Sequence, residues 1–169
     1  HDSWAQSGAG SLNAINALPN SIATAVSGDG SVLAGYGNDV FGNSAAFRSN
    51  GPNGVSVLGK LNGGASSNAY AISYEGAVVA GAAQDGAAAN AYRAFRWTQA
   101  GGIISLGVLN GGNSSFAYGT SGNGNVIVGV AADGAAFNAY RAFRWTASNG
   151  MVSLGVLNPG DTSSWARAV

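Results

Sequence analysis

The side chains best suited to chemistry in this sequence sit in a phrase that is used twice. Tyr92-Arg93-Ala94-Phe95-Arg96-Trp97-Thr98 returns letter for letter as Tyr140-Arg141-Ala142-Phe143-Arg144-Trp145-Thr146, 48 residues later. Guanidinium and aromatic groups anchor interfaces, and Arg stays protonated, so the phrase points to binding and away from proton transfer. In an extended strand Arg93, Phe95 and Trp97 lie on one face, and Tyr92, Ala94 and Arg96 on the other. The large aromatics Phe95, Trp97, Phe143 and Trp145 are expected to fill the space between adjacent sheets. That leaves Tyr92, Arg96, Tyr140 and Arg144 as the candidate surface for a host receptor or a glycan.

Residues for bond-making are sparse. The single His is His1 and there is no Cys. A hydrolytic triad therefore lacks an internal His, and cysteine nucleophiles, disulfides and thiolate metal sites are out of reach. Asp29, Asp85 and Asp133 each precede a Gly, one carboxylate to a loop. A hard cation needs about six to eight oxygens, so turn chemistry or a pair with a repeat Arg is expected in place of calcium. A copper site at His1 would want a second His. No Gly-rich stretch carries the Lys of a phosphate loop, and Asn113-Ser114-Ser115 matches a glycosylation acceptor only by pattern. The expectation is a chain without catalysis, metal or cofactor, with an extracellular polysaccharide hydrolase as the remotest alternative.

Composition bounds the rest. The chain has 169 residues, enough for one domain with a real core. Charged residues make up only 8%, against roughly 25% in ordinary soluble domains, so Asn, Ser, Thr and 28 Gly must keep the surface wet. Such a composition is expected of exported β-repeat proteins. Seven basic and seven acidic residues cancel, which argues against nucleic acid, whose binding rests on phosphate neutralisation. No apolar run approaches the ~18 residues of a membrane span, and no charged-then-apolar leader opens the sequence. A start at His1 is expected of a processed secreted chain or an excised fragment.

The elements that must position the phrase are read from the repeat. A decayed copy, Ala46-Phe47-Arg48-Ser49, stands another 48 residues upstream. The repeats are taken as 1–45, 46–93, 94–141 and a shortened 142–169 within a single domain. Ala94–Thr98, Gly102–Leu106, Phe116–Ser121 and Asn125–Ala131 each read as a short strand bounded by Gly, Asn or Ser. Gly122-Asn123-Gly124, Gly28-Asp29-Gly30 and Tyr74-Glu75-Gly76 read as tight turns with Gly at positive φ. No segment keeps a 3.6-residue apolar period. Four strands in such a unit is the size of a propeller blade, so the expected fold is all-β with propeller-like blades. A β-helix or solenoid is the alternative, although no half-period supports two coils per repeat.

The phrase Arg-Ala-Phe-Arg-Trp-Thr, followed by Gly-Gly or Asn-Gly, Leu-Gly-x-Leu-Asn, Ser-Ser and a Ser-x-x-Gly turn before Val-x-Val-Gly, resembles the bacterial extracellular HAF repeat family over essentially the whole chain. The family's eponymous His-Ala-Phe reads Arg93-Ala94-Phe95, Arg141-Ala142-Phe143 and Ala45-Ala46-Phe47 here. No role of that His carries over. The resemblance implies a secreted protein or autotransporter passenger, extracellular or at a bacterial cell surface, with a structural or binding task.

Four strands in each of three copies and three in the last would leave fifteen, the last ending at Val169, and an unpaired edge. A neighbouring copy is expected to complete it, giving a homo-oligomer or fibre, with Trp4, Trp165, Arg167 and Val169 at the assembly edge. The leading functional expectation is thus a structural or adhesive surface module that associates with itself. A receptor- or glycan-binding effector is the runner-up.

Overall fold

The computed structural model describes residues 18–51 and 54–169. Trp4 and Leu12 of the first repeat lie outside them. The described residues form twelve strands: β1 Ile22–Val26, β2 Leu33–Asn38, β3 Ser44–Ser49, β4 Val55–Val57, β5 Ser67–Ile72, β6 Val78–Asp85, β7 Ala91–Thr98, β8 Gly102–Ser105, β9 Ser115–Thr120, β10 Ile127–Asp133, β11 Ala139–Thr146 and β12 Gly150–Ser153. They make three sheets of four, each a meander of neighbouring strands, β1 to β4, β5 to β8 and β9 to β12. Every pairing within a sheet is antiparallel, which sets aside the solenoid. The sheets are propeller-like blades. The four strands read from the third copy are present, but they divide between two sheets: β7 and β8 close the second, and β9 and β10 open the third. Of the fifteen strands expected, twelve stand among the described residues; Ser164–Val169, expected to hold the last, is not a strand, and the start of the first repeat lies outside the described residues.

Sequence explains each blade. Ser27, Ser73 and Ser121 end the first strands, and their hydroxyls accept from the amides of Val32, Val78 and Val126 across the turn. Gly30, Gly76 and Gly124 take positive φ there, as expected. Inside the sheets Gly129 has a second reason to be bare. A Cβ on it would lie 2.0 Å from the Phe116 carbonyl oxygen and 2.9 Å from the Phe143 ring.

Each blade has a large-residue face and a small-residue face, and the core is made where they meet. Val79, Phe95 and Trp97 of the second blade pack with Ala34 and Ala46 of the first, and Leu58 and Leu61 of the connection seal the seam. One blade on, Ile127 and Phe143 pack with Ala80 and Ala94, sealed by Leu106 and Leu109. The expected role of Phe95, Trp97 and Phe143 between sheets is what the structure has, while Trp145 is only half-buried.

The same seam carries a repeated hydroxyl clip. Ser67 Oγ donates to the Gly59 carbonyl and accepts from the Ala46 amide. Ser115 does the same between Gly107 and Ala94, and Ser164 between Gly155 and Ala142. In each clip one hydroxyl from the following segment satisfies two backbone groups of the blade before it, an amide in its third strand and a carbonyl just past its fourth.

Candidate functional site

First strands of successive blades pack closely on one another, whereas the last strands make no comparable contact, so the blades splay from a common inner rim. Each first strand carries one extra residue relative to its partner, Thr24, Tyr70 and Tyr118, at the same repeat position. Such a bulge re-aims the side chain. Tyr70 and Tyr118 meet at 5.7 Å between ring centroids, and Phe116 lies 6.4 Å from Tyr118. Burial, with the neighbouring Tyr118, Tyr36 and Tyr92, pushes the Tyr70 hydroxyl up to about 12.

Two of the sequence candidates belong to this rim. Tyr92 stacks on Phe116 of the next blade at 5.5 Å, and Tyr140 leans on Trp165 at 5.7 Å. In the first seam the equivalent pair is Ser44 and Asn68, joined by a hydrogen bond. A polar pair is matched to polar and a ring to a ring. Trp165 also stacks against Tyr118 at 6.3 Å, and the Arg167 guanidinium sits 4.6 Å from the Tyr118 ring and 5.1 Å from the Trp165 ring. Of the residues assigned to the assembly edge, Trp165 and Arg167 thus continue the aromatic row. Val169 is exposed beyond them.

The other two candidates share a different place. Arg96 and Arg144 line one groove of about 720 Å³ between the second and third blades, with Ile104, Val126 and Trp145. Arg96 is steered there by its Nε, which donates to the Gly124 carbonyl at 3.4 Å, as Arg48 Nε donates to Gly76 at 2.7 Å one blade earlier. Arg48 and Arg96 line the equivalent groove between the first two blades, beside Glu75. Among the described residues the ion pair is Lys60 with Asp39, at 2.7 Å, so neither Arg96 nor Arg144 has a carboxylate partner. The arrangement offers two cations, an apolar floor and a half-buried indole. It suits an anionic ligand with a flat or apolar body. Sequence reading named the two Arg but missed Arg48, Ile104, Val126 and Trp145. The spacing of Arg48, Arg96 and Arg144 was the available signal.

The repeat carboxylates serve turns. Asp85 Oδ1 accepts from the Ala87 amide at 3.0 Å and from Asn62 Nδ2 at 2.8 Å, and Asp133 repeats this with Ala135 and Asn110. The partner is the Asn of Leu-Gly-x-Leu-Asn, and the repeat Arg are elsewhere: Arg93 and Arg141 donate to the Asn113 and Thr162 carbonyls. Ser27 and Ser31 hold Asp29 below its ordinary carboxylate value by hydrogen bonding. Among the described residues no group of three metal-ligating side chains forms, and no helix is long and apolar enough to cross a membrane.

No family model matches the chain, and no curated protein does. Solved structures do resemble it. The putative TolB of Agrobacterium tumefaciens superposes with a TM-score of 0.61 at 14% identity, over 83% of this chain and 50% of that one. TolB of Acinetobacter baumannii gives a TM-score of 0.57 at 14% identity, over 82% of this chain and 34% of that one. This chain therefore spans half the length of the first and a third of the second. Both neighbours are β-propeller proteins, and the likeness supports the blade architecture described above.

Proposed function

We propose that this protein is a non-catalytic, exported bacterial repeat module that associates with further copies of itself through the outer face of its third blade. One observation carries the reading. Leu106 and Leu109, which seal the seam between the second and third blades, are 5% and 4% exposed, while their repeat equivalents Leu154 and Leu157 are 55% and 92% exposed. The second pair waits on a face that already presents Ala142 and the Ser164 clip. The occupant inferred is an apolar blade face of a second copy, because a blade covers the same residues twice within the chain. Phe47, on the large-residue face of the first blade, is only 1% exposed, so the second copy is taken to meet the Leu pair with its own, and the contact builds an oligomer. Export is supported by the HAF resemblance, the low charge and the bacterial origin of the propeller neighbours.

Light scattering over a wide concentration range, with negative-stain microscopy, tests the reading. An oligomer that grows with concentration is expected, and Leu154→Asp with Leu157→Asp should leave a folded monomer. A strict monomer at every concentration would sink the proposal. A second reading, a receptor- or glycan-binding effector, is favoured by the groove that holds Arg96 and Arg144 together. It predicts quenching of Trp145 fluorescence by an acidic saccharide and its loss in Arg96→Gln.

A further inference from the structure

The loops from the second to the third strand, at 39–43, 86–90 and 134–138, all leave the sheets at the same end, because each sheet is a meander. Counted back from the equivalent residues Ser44, Tyr92 and Tyr140, the position three places earlier is Phe41, Ala89 and Phe137. Phe41 is 84% exposed and Phe137 is 100% exposed. Gly86–Thr98 and Gly134–Thr146 are otherwise the same thirteen residues. At this position Ala89 has φ of 51° and Phe137 of 52°, in the left-handed region that a bulky side chain disfavours. Alanine serves the turn equally well, so the fold does not call for the ring. Phe137 holds a disfavoured backbone and leaves its whole apolar surface in water, with no contact inside the chain that offsets either.

Charges at this end are already engaged. Lys60 pairs with Asp39, Asp85 and Asp133 accept from Asn62 and Asn110, and Arg93 and Arg141 donate to carbonyls. An occupant must therefore supply apolar depth rather than opposite charge. It must also meet two tips on the first and third blades while passing over Ala89 on the second. A single protein pocket takes one prong, whereas a bilayer surface meets both. We propose that this end of the blades docks on a lipid surface, with Phe41, its exposed neighbour Val40 and Phe137 inserted into the interfacial zone.

Flotation of the full chain with neutral phosphatidylcholine vesicles at millimolar lipid tests this. Part of the protein should float, and high salt should not release it, since the attraction is not Coulombic. Phe41→Ser and Phe137→Ser should each lower the partition coefficient by about tenfold, as expected for withdrawing one ring from apolar surroundings. Ala89→Phe should raise it by a similar factor, because the turn already accepts a Phe in the same sequence. Thermal unfolding of all three variants should match the parent, which separates lost docking from lost folding. Absence of flotation, a double Phe variant that floats like the parent, or binding confined to anionic vesicles and released by salt would each overturn the proposal.

Discussion

The seam between the second and third blades and the outer face of the third blade are built from nearly the same residues and end in opposite states. In the seam, Ala94 lies under Ile127 and Phe143, Leu106 and Leu109 are buried, and the Ser115 clip is fully enclosed. On the outer face Ala142, Leu154, Leu157 and the Ser164 clip repeat the pattern, yet the two Leu stand in water. Residue type is therefore not what buries a side chain here. A neighbouring blade is. Hydrophobic stabilisation follows area removed from water, so identical side chains contribute in one place and not in the other.

The largest test of that contrast is Phe143→Ala. The ring is fully buried at the seam and fits against Gly129, so its loss should cost about 3–5 kcal/mol in denaturant unfolding. The sharper test uses the paired Leu. Leu109→Ala should cost about 2–5 kcal/mol, whereas Leu157→Ala in dilute protein should change stability by no more than about 0.5 kcal/mol. At concentrations where the protein associates, Leu157→Ala should become as damaging as Leu109→Ala. Equal costs in the dilute monomer would mean that the outer face is already covered within one chain.

Next in size come the clips. Ser115→Ala strands the Ala94 amide and the Gly107 carbonyl in a dry seam, which should cost about 1–3 kcal/mol. Ser164→Ala leaves the corresponding groups of Ala142 and Gly155 near water and should cost less. Chemical denaturation of the two variants side by side measures the difference, and a reversed order would break the comparison.

The repeat made much of this legible. Trp97 and Phe95 were placed between sheets because a large aromatic at a fixed repeat position has few other homes, and the Gly of each Ser-x-x-Gly turn because only positive φ closes so short a hairpin. Blade phase was not legible. The most recognisable phrase, Arg93 to Thr98, is a third strand, and a repeat counted from it cuts through a sheet. The bulges at Tyr70 and Tyr118 were also hidden, since one extra residue in a strand leaves no mark in the period. Alternation grouped Tyr92 with Arg96 correctly, but the second blade is covered by neighbours on both sides, so a face in sequence did not translate into a surface. The split of Tyr92 and Tyr140 to the rim, and of Arg96 and Arg144 to a groove, depends on how far along the strand each lies. That is a position between the two ends of the blade, and what the next blade holds at that level is not contained in a one-dimensional pattern.

The smallest effect concerns the rim, where the closed and open ends can be compared by titration. Tyr70 lies in the closed part and ionises at about 12, chiefly because burial disfavours the phenolate. Burial also raises Tyr118, but there the Arg167 guanidinium pulls the other way. Both folded-state values exceed the unfolded value of 10.0, so the neutral hydroxyl is the form the fold prefers. The contribution to stability is complete below pH 10 and, for Tyr70, is lost as the pH rises from 10 towards 12. Ultraviolet titration should therefore show a late phenolate step that Tyr70→Phe removes. Arg167→Gln should move the Tyr118 step upward and leave the Tyr70 step in place. If Arg167→Gln moves both steps together, the rim is one coupled row and its open end is not electrostatically separate from its closed one.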